Sequence, residues 1–252
     1  MSEKVTDTRF FYDQFWPQHI PDYSKTKEHV LRLLPEGRHG VVLDGGCGLG
    51  VCSVALSTVA QTVVSLDISE DSLRAGEKII QELSLPNVNF VEGSLVTIPF
   101  LEETFDLVFS WGAIHHTSDP VKALDELCRV LKPKGVIILA VYLKTRLTWL
   151  HEIVRKICLR AKRLPGFKSI FINTVAGLIK LHDRVYTLNI ARDDSSPESL
   201  VEDWFFVPEK HFFTIAQMRE LFEQRGLDFE LLHEKIGRFR SSTNFIVRGT
   251  KR

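Results

Sequence analysis

Short, mostly apolar runs rich in β-branched residues alternate along the chain with longer stretches whose apolar positions recur every three or four residues, and no segment repeats another. The runs fall at 40–44 (GVVLD), 62–67 (TVVSLD), 88–92 (VNFVE), 105–110 (FDLVFS) and 135–142 (GVIILAVY). Each is continuous rather than alternating, as strands buried on both faces of a parallel sheet are. Helices between them, the first at about 51–60, complete an α/β pattern. Asp119-Pro120 supplies an N-cap and a proline for the first helical position; Leu124, Leu127, Cys128 and Leu131 form an apolar stripe, and Lys132-Pro133-Lys134-Gly135 ends it. Thr214-Ile215-Ala216-Gln217 reads as a capping box opening a helix that closes at Gly226. Two further β-like runs, about 228–235 and 243–250, follow.

The connection over 143–213 is far longer than the few residues that usually join elements of such a sheet. Residues 148–164 set Leu150, Ile153, Val154, Ile157 and Leu164 on one helical face, with Arg155, Lys156, Arg160, Lys162 and Arg163 around the rest. Residues 167–182 are nearly all apolar, among them Phe167, Ile170, Phe171, Ile172, Val175, Leu178, Ile179 and Leu181. The pattern predicts a helical hairpin roofing a cavity at the sheet edge, and a greasy roof suits a hydrophobic or aromatic occupant. RDDSSPES (192–199) reads as an exposed, mobile linker within it. The expected division is a helical cap at 1–34, a ligand-binding core at 35–142, a helical lid insertion at 143–213, and a last helix with a closing β-hairpin at 214–252.

Charge adds an exclusion. Lys plus Arg and Asp plus Glu both number 32 in 252 residues, so no net field draws the chain to nucleic acid. The balance is uneven, however. From Lys144 to Lys168 eight cations face one acid, Glu152, which fits either a solvated lid face or a helix, 148–164, in peripheral contact with an anionic membrane or an acidic partner. Cys47, Cys52, Cys128 and Cys158 form no C-x-x-C pair and read as reduced, packed thiols, without disulfide or metal. MSEKVTDTRFFYDQFW lacks the basic and apolar regions of a signal peptide, and no apolar run approaches membrane-spanning length, so a cytoplasmic location is expected. Nothing in the pattern fixes an oligomeric state.

VLDGGCGLG, Val42 to Gly50, packs four glycines behind an aspartate, after a buried strand and before a helix. Its amides face the carboxyl edge of the sheet, where ligands bind. The dinucleotide fingerprint G-x-G-x-x-G fails from Gly46, where the last slot is Val51, and from Gly45, where the third is Cys47; from Gly48 it gives only G-x-G-x-x-S. Asp44 carries more weight, because a carboxylate beside a pyrophosphate repels it by kilocalories, whereas a cation gains from it. S-adenosylmethionine has an ammonium, a sulfonium and no phosphate, and suits this loop better than NAD. Asp67 ends the second strand 17 residues after Gly50, where a carboxylate takes ribose hydroxyls in both cofactor classes.

VLDGGCGLG, the SLDIS strand end, EGSLVTIPF, FDLVFSWGAIHH and DELCRVLKPKGVIILAVY, in this order and spacing, resemble the class I S-adenosylmethionine-dependent methyltransferases, above all the small-molecule branch that includes ubiquinone and menaquinone methyltransferases. The resemblance is specific over about 35–142 and loose over 210–250. It implies a Rossmann-like fold, a seven-stranded, mostly parallel sheet with an antiparallel last strand. It further implies that Asp44, Gly45, Gly46, Gly48 and Gly50 hold the methionine end, Asp67 the ribose, Ile68 the adenine face, Ser94 and Leu95 the adenine edge, with Ser110 beside the cofactor. A serine stands at 94 where the family usually carries aspartate; its hydroxyl can accept the same bond.

The implied reaction is in-line displacement at an activated methyl group, which needs positioning and exclusion of water, and a base only for a protonated nucleophile. His115 and His116, after the fourth strand, are the candidates for that base or for loop structure. Tyr12, His19 and Tyr23 belong to an aromatic N-terminal segment placed either to cover the cofactor or simply to pack; Trp111 and His211 are candidates to face substrate. Ser110-Trp111-Gly112-Ala113 carries neither the N-P-P-Y of DNA amino-methyltransferases nor a glutamate pair of the arginine type, which leaves a small organic acceptor. Three alternatives stay open: an NAD-dependent oxidoreductase, an enzyme on the same fold that uses the sulfonium differently, and a non-catalytic binder acting as a membrane or protein adaptor.

Overall fold

The computed structural model describes residues 3–15, 23–186, 196–234 and 244–252. Its frame is one seven-stranded sheet in the order β3-β2-β1-β4-β5-β7-β6, built from β1 (His39–Gly45), β2 (Ala60–Asp67), β3 (Val88–Glu92), β4 (Phe105–Trp111), β5 (Leu131–Tyr142), β6 (Glu230–Glu234) and β7 (Asn244–Thr250). The first five strands pair in parallel, and β7 alone runs antiparallel, between β5 and β6. Successive side chains of the strands enter different clusters. Leu43, Phe105, Val108 and Leu139 pack with Leu124, Leu127, Met218 and Phe222 on one face. Val42, Leu107, Phe109 and Ile138 pack with Val54, Leu56 and Ile80 on the other. That double burial is why β1, β4 and β5 carry no polar alternation, whereas β3, at the edge, exposes Asn89 and Glu92.

Of the helices, α1 (Glu3–Phe15) and α2 (Tyr23–Leu31) precede the sheet, α3 (Val51–Leu56) follows the glycine loop, and α4 (Glu70–Glu82) follows β2. The helix after β1 is shorter than expected, ending at Leu56. No helix links β3 to β4: residues 93–104 cross by turns, pinned where Thr97 N–H donates to Ser94 O at 3.0 Å. α5 (Pro120–Val130) starts as its sequence dictates, Asp119 accepting from Lys122 N with Pro120 in the first turn. Lys132 to Gly135 belong to β5 rather than to a loop, with Lys134 at φ 62° where the strand bulges against β4. α9 (Ile215–Glu223) has the full capping box between Thr214 and Gln217.

The long connection corrects three expectations. It contains α6 (Thr148–Ala161), α7 (Phe167–Tyr186) and a third helix, α8 (Pro197–Phe206), against which α6 and α7 both pack. α8 begins inside the stretch read as a linker: Ser196 caps it by accepting from Ser199 N, and Pro197 opens it; residues 192–195 lie outside the described residues. Most consequentially, α6 is turned over. Its buried face is Thr148, His151, Arg155 and Cys158, while Leu150, Ile153 and Ile157 are 45%, 48% and 55% exposed. Arg155 is drawn inward by three acceptors: it pairs with Glu152 at 3.0 Å and donates from Nη1 to Val207 O at 2.8 Å and Pro208 O at 3.1 Å. With Arg155 turned inward its guanidinium and these acceptors satisfy one another, and leaving either side unpaired inside would be costly.

Candidate functional site

The carboxyl ends of β1, β2, β4 and β5 share one edge, and the order of crossovers reverses between β1 and β4, the place where open α/β sheets leave a crevice. The glycine loop lies on one side of it. Gly46, Gly48 and Gly50 take φ of 78°, 52° and 76°, which L side chains adopt reluctantly. Gly46 has a second constraint: a Cβ there would stand 2.1 Å from the Cβ of Ala113. Gly46 and Cys47 N–H both donate to Leu66 O, at 2.7 and 3.0 Å, and Tyr23 OH donates to Leu49 O at 3.0 Å. Ser110 Oγ donates to Gly45 O at 2.7 Å from a position 2% exposed, and Leu95, 7% exposed, packs beneath Gly45. Tyr23, Ser110 and Leu95 therefore shape the loop.

Two carboxylates are buried under it. Asp44, 1% exposed, accepts from Ser53 Oγ at 2.6 Å; Ser53 shares a 2.7 Å bond with Ser65. Burial lifts the Asp44 carboxyl to about 7, against the pull of Ser53 and with a further push from Asp67. Asp67 accepts from Gly48 N at 2.8 Å and Ser69 N at 2.9 Å, tying the tip of β2 to the glycine loop. Burial raises Asp67 also, with these backbone donors opposing. α1 closes over this corner: Asp13 accepts from Ser69 Oγ at 2.6 Å, Ser72 Oγ donates to Tyr12 O, and Arg9 pairs with Glu92 at 2.7 Å. Ile68 and Ser94 are half-buried beside it.

Across the crevice, a 3-10 turn at Ile114–His116 follows β4 and meets the end of β5. His115 is 2% exposed, and neither ring nitrogen has a hydrogen-bond partner; its ring centre lies 4.1 Å from that of Tyr142 and 4.3 Å from that of His116. Burial first, then the nearby His116, Lys210 and His211, hold it well below the ordinary imidazole range. His116 is held by Glu209 O on Nδ1 at 2.9 Å and faces Asp203 at 3.5 Å; burial lowers it to about 4, against the attraction of Asp203. Tyr142 OH donates to Asp203 Oδ2 at 2.5 Å, and Lys210 donates to the same oxygen at 3.3 Å while lying 4.2 Å over the Tyr142 ring. Burial opposes ionisation of Asp203, but Lys210, His116 and Tyr142 outweigh it and hold the carboxyl low.

The sequence-derived candidates thus divide. Tyr12 joins the two halves, its ring 5.9 Å from His116 and its phenol raised by burial, by Asp203 and Tyr142, and by Asp67. Trp111 turns to the other face of β4, stacked on Phe109 and edge-on to His29 of α2. His211 N–H donates to His115 O at 2.8 Å and its ring lies near Glu209. His19 lies outside the described residues. Tyr142, Asp203 and Lys210 escaped the sequence reading; the signal available was the charged pairs Glu202-Asp203 and Glu209-Lys210 set in the aromatic stretch VEDWFFVPEKHFF.

A family described as "Methyltransferase domain" matches residues 36–193, more than half of the chain. The uncharacterized methyltransferase YcgJ of Bacillus subtilis is 35% identical over 94 residues, 37% of each chain. A demethylmenaquinone methyltransferase of Staphylococcus haemolyticus is 25% identical over 207 residues, covering 80% of this chain and 74% of its own. The alignments with YcgJ and the Geobacillus demethylmenaquinone methyltransferase span only 37% and 50% of those relatives' lengths. The crystal structure of YcgJ superposes with a TM-score of 0.61 at 17% identity, over 91% of this chain and 99% of that one. A [4+2]-cyclase, SpnF, shares the fold as well, with a TM-score of 0.56 at 14% identity over 90% and 80% of the two chains, so the fold alone selects no reaction. The family match, the broken dinucleotide fingerprint and the seven-stranded sheet with its antiparallel β7 agree: the chain belongs to the class I S-adenosylmethionine-dependent methyltransferases.

Proposed function

We propose that the chain transfers a methyl group from S-adenosylmethionine to a small organic acceptor with an apolar or ring-bearing body, whose reacting atom lies beside His115. The observation that carries the reading is the facing of two buried halves: a glycine loop over Asp44 and Asp67, and an imidazole with two unpartnered nitrogens. The donor set suits the cofactor, because two buried carboxylates beside the glycine loop favour a cationic ligand and oppose a phosphate. When bound, S-adenosylmethionine supplies a methyl group on a leaving group that is already activated. The surface of the glycine loop, whose amides at Gly46, Cys47, Gly48 and Gly50 are engaged internally, and Asp44 would hold the methionine end, Asp67 the ribose, Ile68 and Ser94 the adenine.

The rest falls to this chain's own side chains. Tyr12 and α1 would exclude water from the Asp67 corner. His115, kept neutral by burial at physiological pH, offers a lone pair to a protonated nucleophile or a hydrogen bond that orients it. Tyr142 fixes the His115 ring by contact, and the Asp203–Lys210 pair fixes Tyr142. The wall facing the site is aromatic and polar together, Tyr142 and Phe212 with His115 and His151, rather than uniformly greasy. That mixture suits an acceptor with a ring and an ionisable group, and the relatives named for demethylmenaquinone point in the same direction.

Calorimetric titration of wild type and Asp67→Ala with S-adenosylmethionine, S-adenosylhomocysteine and NAD tests the cofactor. Binding of the two sulfur nucleosides alone, weakened by the substitution, supports the reading; binding of NAD alone ends it. Labelled cofactor incubated with fractionated quinol-type phenols and a metabolite extract then searches for the acceptor.

A further inference from the structure

Turning α6 over leaves its apolar stripe in solvent. Trp149 is 63% exposed and is followed on the same face by Leu150, Ile153 and Ile157; Leu147 before the helix, Leu164 after it and Ile170 at the start of α7 extend the strip, the last two at 61% and 68%. At 100° per residue, positions 149, 150, 153, 156, 157 and 160 fall within one third of the helix circumference, opposite the buried 148, 151, 155 and 158. Apolar side chains gathered on one face call for a cover.

The charge around the strip says which cover. Lys156 and Arg160 lie on this face, and Lys162 and Arg163 lie in the turn beyond it, all four exposed. None of these side chains has an ion pair or hydrogen bond among the described residues. The single acid between Lys144 and Lys168, Glu152, is engaged by the buried Arg155, so it neutralises nothing outside. Long exposed cations beside an apolar strip match an interface of acyl chains beneath anionic headgroups, since such stems can cover apolar surface while the heads reach the headgroups, and no matched hydrogen-bond geometry is needed.

We infer that the outer face of α6 and its turn into α7 docks this protein on an anionic lipid bilayer, lying in the interface rather than crossing it. Among the described residues no helix is long and apolar enough to span a membrane. The inner face of the same helix carries His151 and Arg155, and Arg155 holds the carbonyls of Val207 and Pro208 just before Glu209, Lys210 and His211. Docking therefore sets a bilayer against the wall of the acceptor site; that relation, unlike the docking, rests on the methyltransferase reading.

The experiment is flotation of the full chain with vesicles of phosphatidylcholine alone and of equimolar phosphatidylcholine and phosphatidylglycerol. Two variants accompany it, Trp149→Ser with Ile153→Ser, and Lys156→Glu with Arg160→Glu, Lys162→Glu and Arg163→Glu. The expected result is binding to the anionic vesicles only, weakened by salt, and reduced at least about tenfold by either variant while S-adenosylmethionine affinity stays at the wild-type value. Equal binding to both vesicles, binding to neither, or variants that bind as wild type would overturn the proposal. So would sedimentation showing a dimer through this face that Ile153→Ser dissolves, since the strip would then be covered by a second copy. Loss of cofactor binding by the wild-type chain, with vesicle binding intact, would instead sink the function reading alone.

Discussion

At Asp44 a single buried carboxylate couples pH to both stability and ligand. Its folded pKa, about 7, stands above the ordinary 3.8, so between these values the folded chain holds a proton that the unfolded chain does not. Stability is greatest in acid and falls as pH rises through this window, by up to about 4 kcal/mol from this group. Asp44→Asn, which keeps an acceptor for Ser53, should melt higher than wild type at pH above the window and converge with it below. The opposite sign applies to a cationic ligand: wild type should bind S-adenosylmethionine more tightly as pH rises through about 7, and the asparagine variant should lose that slope. Calorimetry at a series of pH values reads both. Gly46→Ala meets the left-handed φ and the Ala113 contact together, and should cost about 2–4 kcal/mol in denaturant melts and abolish cofactor binding. If His115 accepts the proton, His115→Ala should lower kcat by about 10²–10⁴ and leave cofactor affinity unchanged; a change confined to KM would make it a positioning residue.

Among the elements, those whose surroundings are uniform were legible and those whose two faces differ were not. Continuous apolar runs located all five parallel strands, and Asp119-Pro120 and Thr214 with Gln217 located two helix starts, because each signal depends on neighbours a few residues away. α6 was misread because helical periodicity identifies a stripe without saying which side the molecule covers. The inward pull on Arg155 comes from carbonyls 52 and 53 residues away, which no local pattern contains. Tyr142 and Asp203 likewise meet across 61 residues. Arg155→Met should therefore destabilise by about 3 kcal/mol, far more than an exposed cation on an amphipathic helix would, and Glu152→Gln beside it should restore part of the loss. Equilibrium denaturation of the two single variants and the pair measures this. Thr214→Ala, which removes a cap, should by contrast cost about 1 kcal/mol and leave cofactor binding untouched.

For the molecule as a whole, the sheet order governs how the chain assembles. β5 lies between β4 and β7, and its 136–142 segment is matched residue for residue with 244–250. The parallel half of the sheet is available as soon as residue 142 has been made, but β7 is encoded about a hundred residues later. At usual ribosomal speeds, roughly 5–20 residues per second, β5 waits on the order of 5–20 s with one ladder of N–H and C=O groups unpaired along an apolar edge, VIILAVY. Such an edge recruits any free strand. The emerging polypeptide is then a client for a holdase during that interval, and a stop codon anywhere between 142 and 244 turns a transient exposure into a permanent one, so truncation products of this gene should be recovered as inclusion bodies rather than as small folded domains.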